Sequence, residues 1–291
     1  MKKFRWDIYS NDNTLFVTSQ CNNHCLMCAQ PPLKRDDVEF HFRRSLKLLE
    51  HAPVELPTIG ISGGEPTLLG DRLFELLKQI RETLPETTIQ LLSNGRAFAD
   101  PIYTEKLNNV GLDRLLISIP LHSDFCGDHD EITQVKGSWS ETMHGLYQLA
   151  CFKAEIELRI VIQKKNWRRL PKVAEFIYRN LPFVGSVVFM GLEFTGLAIQ
   201  HEVEVWIDPA EYQQELERAV SILNAYDIPV AIFNLPHCLL PPGLYPYACQ
   251  SISDWKVFFP ETCDSCCRRQ ECCGLFSTSR KHSEKLHLLT Y

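Results

Sequence analysis

Residues 14–28 read TLFVTSQCNNHCLMC, an apolar, β-branched run that ends in three cysteines spaced Cys-x3-Cys-x2-Cys. A run of this kind bounded by polar turn residues reads as a strand, so Cys21, Cys25 and Cys28 stand on the loop that leaves the first strand. One unit further on, residues 57–68 read PTIGISGGEPTL, a second apolar run followed by Gly63, Gly64, Glu65 and a proline suited to open a helix. The alternation continues. Strand patterns at 88–92, 114–119, 157–162 and 186–190 are separated by helical patterns at 71–84, 140–153, 170–180 and 209–225. In the first of these helices Leu73, Phe74, Leu76, Leu77, Ile80 and Leu84 share one face. Six βα steps between residues 14 and 234 predict the α/β class, a partial (β/α)6 barrel of parallel strands with chemistry on the loops at their C-terminal ends.

The 291 residues are 45% apolar and 23% charged, which excludes a largely disordered, collagen-like or membrane-spanning chain. A net charge of −6 argues against coating a phosphate backbone, so nucleic acid is not an expected partner. The start, MKKFRWDIYSNDN, holds no apolar stretch of signal-peptide length, and the expected location is cytoplasmic, with no membrane partner. In that reducing compartment the twelve cysteines read as metal or cluster ligands before disulfides. Three lie near the start, and Cys238, Cys249, Cys263, Cys266, Cys267, Cys272 and Cys273 crowd the last fifth; Cys126 and Cys151 stand apart. The sequence therefore divides into a core at 1–234, a cysteine-rich unit at 235–276 held by its ligands, and a polar tail at 277–291 expected to be mobile.

Three thiolates can hold a 4Fe-4S cluster by three irons and leave the fourth iron open to substrate, whereas electron-transfer clusters have four cysteines. A Cys3His zinc site using His24 is the alternative, but His24 adjoins Cys25 and would struggle to reach the same metal. The two glycines allow close backbone approach. Together, Cys-x3-Cys-x2-Cys after the first strand and Gly-Gly-Glu after the second resemble the signature of the radical S-adenosylmethionine (SAM) superfamily. The resemblance implies that the open iron of a 4Fe-4S cluster on Cys21, Cys25 and Cys28 chelates SAM. Reductive cleavage of the sulfonium then yields a 5′-deoxyadenosyl radical that abstracts hydrogen from substrate. It implies an electron donor such as flavodoxin or ferredoxin.

The resemblance also marks cofactor-binding candidates. Gly63, Gly64 and Glu65 match the motif that receives the SAM amino group, and Ser118 matches the usual ribose contact. Met27 stands where the family commonly has an aromatic residue, and a thioether can pack against an adenine. Asn94 ends the third strand and Glu193 follows the sixth, where each would help complete the SAM pocket. Arg159 lies inside the apolar run ELRIVI and needs a carboxylate partner, either SAM's own or a structural Asp or Glu. The histidines and acids of HSDFCGDHDEITQ, residues 122–134, read as a solvated lid before a metal site.

Cys263, Cys266 and Cys272 form Cys-x2-Cys-x5-Cys, and a fourth ligand must come from elsewhere; Cys238 is preferred over Cys273 and Cys249. The spacing resembles the twitch and SPASM auxiliary-cluster regions of radical SAM enzymes, which implies a second 4Fe-4S cluster, with structural zinc as the alternative. Longer strings, CNNHCLMCAQPP, IPLHSDFCGDHDEI, FVGSVVFMGLEFTG and SISDWKVFFPETCDSC, resemble the His-Xaa-Ser system radical SAM maturases of C type. That implies a ribosomally made peptide substrate and a second radical SAM maturase as partner. A disordered peptide can bind as an added strand or fold on contact. Two other expectations stand beside it: a radical SAM enzyme acting on a small molecule or RNA in cofactor or tRNA modification, and a non-catalytic zinc-binding interaction protein.

Overall fold

A computed structural model describes residues 4–10 and 12–290. In chain order it holds β1 (Thr14–Phe16), α1 (Val38–Leu49), β2 (Thr58–Ser62), α2 (Asp71–Thr83), β3 (Thr88–Leu92), α3 (Pro101–Val110), β4 (Leu115–Pro120), α4 (Cys126–Thr133) and α5 (Ser138–Cys151). There follow β5 (Glu155–Val161), α6 (Leu170–Asn180), β6 (Ser186–Met190), α7 (Leu197–Gln200), α8 (Glu202–Val205), α9 (Gln213–Ala225), β7 (Val230–Phe233), β8 (Val257–Phe258) and β9 (Leu275–Phe276). Two compact units share these elements. The first runs to His24 and takes Gln30–Ile119 and Ser138–Ile156, and the second holds Cys25–Ala29, Pro120–Gly137 and the chain from Glu157 on.

In the first unit β1 to β4 lie side by side in parallel, with Thr14 opposite Gly60, Ile59 opposite Ile89 and Ile89 opposite Leu115. Ile59, Ile61, Ile89, Leu91, Leu115 and Ile117 are all buried, and at two-residue spacing each pair turns to one face of its strand. Helix α2 turns Leu73, Phe74, Leu76, Leu77 and Ile80 inward, as its 3.6-residue period requires. Because the strands run one way, the loops after β1, β2 and β3 emerge at one end.

Asp37, the residue before α1, ties the exit of β1 in place. Its buried carboxylate accepts from Thr18 Oγ1 at 2.9 Å, from Ser19 N at 3.0 Å and from Ser19 Oγ, and it pairs with His41 at 3.5 Å. Burial alone would raise its pKa, but the bonds from Ser19 and Thr18 and the charge of His41 outweigh it and hold the carboxyl at about 2. A pKa depressed in the folded state adds stability above the unfolded value and loses it as the pH falls through the folded one. We therefore expect Asp37→Asn to destabilise the chain by about 2 kcal/mol at pH 7. The gap between variant and parent in urea unfolding should be full above about pH 4 and close toward pH 2.

In the second unit β5, β6 and β7 are again parallel, with Glu157 opposite Ser186 and Val187 opposite Val230. The six strands expected from the sequence are thus joined by a seventh, β7, only four residues long. The 209–225 helical pattern divides into a 3-10 turn, Pro209–Glu211, capped by Asp208, and then α9. Residues 126–133 form a helix where a solvated lid was expected, and His129, Ile132 and Thr133 on it are buried. Arg169 holds the approach to it, donating to both Asp124 oxygens at 2.8 and 2.6 Å, and Asp130 accepts from Gly137 N at 2.6 Å.

The cysteine-rich region carries an antiparallel pair, β8 with β9. The polar segment after it is bonded along its length to the second unit. Thr278 donates to Glu193 and Ser283 to Asp208, while Ser279 Oγ accepts from Phe194 N at 3.0 Å and Arg280 N donates to Phe194 O at 2.9 Å. No helix among the described residues is long and apolar enough to cross a membrane.

Candidate functional site

The first-unit part of the site is built by backbone contact between two loops. Gly64 N donates to Thr18 O and Glu65 N to Gln20 O, each at 2.7 Å, so the Gly-Gly-Glu segment lies directly against the chain entering Cys21. A Cβ on Gly63 would sit 2.4 Å from Thr18 O, and one on Gly64 would sit 2.0 Å from Gln20 O. Only glycine fits either place.

Glu65 is buried and its carboxylate faces four donors. Oε1 accepts from Thr67 N at 3.0 Å, Thr67 Oγ1 at 2.7 Å and Ser93 Oγ at 2.8 Å, and Oε2 accepts from Asn94 N at 2.7 Å. Burial pushes its pKa up, against the pull of those donors. The glutamate of the motif thus caps the turn Pro66–Leu69 and fastens it to the end of β3. Asn94, placed by Glu65, reaches the cysteine loop, its Nδ2 donating to Asn22 Oδ1 at 2.6 Å. Arg96 reaches the same loop, to Asn22 O and Asn23 Oδ1. Ser118 is buried on β4 and accepts from Gln90 Nε2 at 3.1 Å.

The second-unit part begins with Cys25 to Ala29. Cys28 N closes a turn on Cys25 O at 3.0 Å, Leu26 N donates to Ile132 O of α4 at 2.9 Å, and Cys28 O accepts from Leu197 N of α7 at 2.9 Å. Gly196 stands at φ +57, where a Cβ would lie 2.4 Å from Cys28 O. Met27 packs with Leu26, Ile132, Phe194, Ala198 and Val205 in one apolar cluster. Arg159 pairs through Nε with Glu157 at 2.6 Å and lies over the Phe233 ring, which answers its need for a carboxylate with a structural one. Glu193 accepts from Lys256 at 3.1 and 3.2 Å and from Thr278. Cys21, Cys25 and Cys28 are half-buried thiols, in no disulfide. Within the first unit the chain entering Cys21 is held against Gly63 and Gly64, and within the second Cys28 is held against Gly196; three thiols at this spacing in the sequence suit a bulky thiolate-ligated group.

In the cysteine-rich region Cys238, Cys263, Cys266 and Cys272 line one hollow together with Arg268 and Arg269. They act on one another electrostatically. Burial raises the pKa of Cys238 and of Cys263, and the neighbouring thiols raise both further. Cys272 is lowered to about 6 by a bond from Cys273, helped by the Gly274 and His237 amides and opposed by burial. Leu289 N donates to Cys266 Sγ at 3.4 Å. Cys249 is exposed and lies outside the hollow, and Cys273 is buried with its thiol on Gly274 O at 3.3 Å. Among the described residues no three His, Cys, Asp or Glu side chains group so as to hold a single metal ion. The four thiols rim the hollow instead. A reading from spacing alone finds these cysteines, but not Arg96 or Asp37, whose importance lies in contacts across the fold.

Similar folds occur among solved structures. SuiB of Streptococcus suis bound to S-adenosylmethionine matches with a TM-score of 0.58 at 14% identity, over 75% of this chain and 49% of that one. The protein anSMEcpe with bound AdoMet and Cp18Cys peptide matches with a TM-score of 0.54 at 18% identity, over 75% of this chain and 62% of that one. Among curated proteins, Fe-coproporphyrin III synthase of Methanosarcina barkeri is 28% identical over 166 residues, 55% of this chain and 39% of the relative. The tungsten-containing aldehyde ferredoxin oxidoreductase cofactor-modifying protein of Pyrococcus furiosus is 24% identical over 174 residues, 56% and 47%. The chain therefore spans less than half the length of these two curated relatives. Residues 15–177, from β1 through most of α6, match the family model of the Radical SAM superfamily. That stretch carries both the three-cysteine loop and the Gly-Gly-Glu segment packed against it, and the chain belongs to the radical SAM superfamily.

Proposed function

We propose that this radical SAM enzyme modifies a ribosomally made peptide and carries a second 4Fe-4S cluster on Cys238, Cys263, Cys266 and Cys272. The observation that carries the reading is the hollow rimmed by those four thiols, in a chain whose fold already provides the three-cysteine loop. The comparison folds support the substrate class: SuiB has been solved bound to its precursor peptide SuiA, and matches with a TM-score of 0.56 at 12% identity. The longer strings around Cys21, His122, Phe194 and Cys263 favour a peptide of the His-Xaa-Ser type, worked on with a second radical SAM maturase.

When bound, the cluster and SAM supply one-electron cleavage of the sulfonium and a carbon radical able to take hydrogen from an unactivated position. The residues of this chain hold and orient. Cys21, Cys25 and Cys28 would hold three irons of the cluster, and the Gly63 to Glu65 segment would receive the SAM amino group. Asn94, Ser118 and Met27 shape the nucleoside side. Arg159 and Glu193 join this set with their present partners Glu157 and Lys256 retained. A cytoplasmic location, with a flavodoxin or ferredoxin as electron donor, belongs to the same proposal.

A second reading has its own support. The curated relative of 28% identity is a synthase of an iron porphyrin, which favours a small molecule. Deuterium transfer separates the two. A synthetic peptide of His-Xaa-Ser repeats, deuterated at carbon, should pass label into 5′-deoxyadenosine and gain a mass change. Label arriving only from deuterated tetrapyrroles would contradict the peptide assignment.

A further inference from the structure

The geometry points to Arg96 as a positioning residue for the SAM-binding cluster, acting through Asn22 and Asn23 on Cys21. The inference rests on the cluster assigned above to Cys21, Cys25 and Cys28. Arg96 opens the 3-10 turn Arg96–Ala99 directly after Gly95, whose φ of +81 turns the chain at the end of β3. Helix α5 closes on that turn through Gly145, where a Cβ would lie 2.2 Å from Gly95 O. The Arg96 backbone is therefore held from both sides.

Its side chain is mostly buried, at 13% exposure, and forks between two loops. Nη1 donates to Asn22 O at 2.6 Å and to Asn23 Oδ1 at 2.7 Å, and Nε donates to Glu141 Oε2 at 2.5 Å. Asn94 Nδ2 holds the other side of Asn22. Asn23, itself buried, donates its backbone N–H to Cys21 Sγ at 3.4 Å. Both residues between Cys21 and His24 are thus fixed by the turn after β3, and the fixed peptide aims a hydrogen-bond donor at a cluster sulfur.

Such outer contacts orient metal ligands, and hydrogen bonds to cluster sulfurs help set the reduction potential. An N–H facing the thiolate and a guanidinium one residue behind it both favour the more negative, reduced state. A planar guanidinium can serve the two loops at once, whereas an ammonium concentrates its charge at a single point.

The test uses the full chain, reconstituted anaerobically, as parent, Arg96→Met, Arg96→Lys and Glu141→Gln. The readouts are a redox titration of the EPR signal that responds to SAM, and hydrogen exchange of residues 21–24 in the metal-free protein. Arg96→Met should disfavour reduction about tenfold, a fall of about 59 mV for one electron, and speed exchange at Asn23. Arg96→Lys should fall between Arg96→Met and parent. Glu141→Gln breaks the ion pair but leaves the contacts to Asn22 and Asn23, and should stay near parent in both readouts. Parental potential and exchange in Arg96→Met would overturn the inference. So would an equal shift in Glu141→Gln, since the ion pair alone would then account for it. A parent without any SAM-responsive signal would instead overturn the cluster assignment, and exchange in the metal-free chain would still decide whether Arg96 holds the loop.

Discussion

Replacing Cys21, Cys25 and Cys28 together with alanine is expected to abolish SAM cleavage completely while about four of roughly eight reconstituted irons remain bound. The first loss follows because the Gly-Gly-Glu segment packs on the chain entering Cys21, so the motif and the first thiol act as one site. The second follows because the four thiols around the other hollow come from a separate stretch, residues 238–272, on the 3-10 turns His237–Leu239 and Glu261–Cys263 and the turns that follow. The complementary change, alanine at Cys238, Cys263, Cys266 and Cys272, should leave the SAM-responsive signal in place. Iron and sulfide analysis checks both variants, and a zinc analysis of the triple variant separates a second iron-sulfur cluster from structural zinc. Loss of all iron in the triple variant would mean that the second thiol set does not assemble its own cluster.

Gly64→Ala is expected to be nearly as damaging, and for a reason that needs no metal. The new Cβ would lie 2.0 Å from Gln20 O, 2.5 Å from Gln20 C and 3.1 Å from Cys21 N. All three are backbone atoms, so no side chain can rotate away, and the chain entering Cys21 must move. Relief would break the 2.7 Å bonds from Gly64 N to Thr18 O and from Glu65 N to Gln20 O. We expect a loss of about 3 kcal/mol in denaturant unfolding of the metal-free protein, at the upper end for overpacking. Reconstituted iron on the first cluster should fall as well. Gly243→Ala is the control: its φ is not positive and a Cβ there meets only Glu217 Oε1, the end of a flexible side chain, at 3.3 Å, so little loss is expected. Equal losses for the two variants would contradict the close-approach account.

The parts of the fold legible in the sequence are those whose cause is local. Strands β2, β3, β4 and β6 stand close to where their apolar runs place them: β2, β4 and β6 bury consecutive residues and so leave an uninterrupted signal, while β3 alternates around a buried Ile89 and Leu91. Helix α2 reads correctly because all its buried residues are apolar. Helix α1 does not, because its inward face includes His41 and Ser45 beside Val38, Phe42 and Leu49. Helix α4 was illegible for a different reason. Its sequence is polar, and Arg169, distant in the chain, holds Asp124 just before the helix and Asp128 within it.

The candidate site divides in the same way. Cysteine spacing is a property of the chain, and so is the pair of glycines that a close approach demands. The partner of Arg159 was readable in principle, since Glu157 lies two residues back on the same strand face. Arg96 carried no signal at all: a single arginine after a turn acquires meaning only when the fold brings it to Asn22 and Asn23, more than seventy residues earlier. Glu65 is legible through its motif, but the bonds from Ser93 and Asn94 that lock it to the end of β3 belong to the fold.

The most direct measurement of the central claim is the nucleoside product of the reconstituted parent chain given SAM and a strong reductant under anaerobic conditions. The account predicts 5′-deoxyadenosine and methionine in equal amounts, formed only when reductant is present. A protein with its first cluster fully loaded that yields neither product would contradict it.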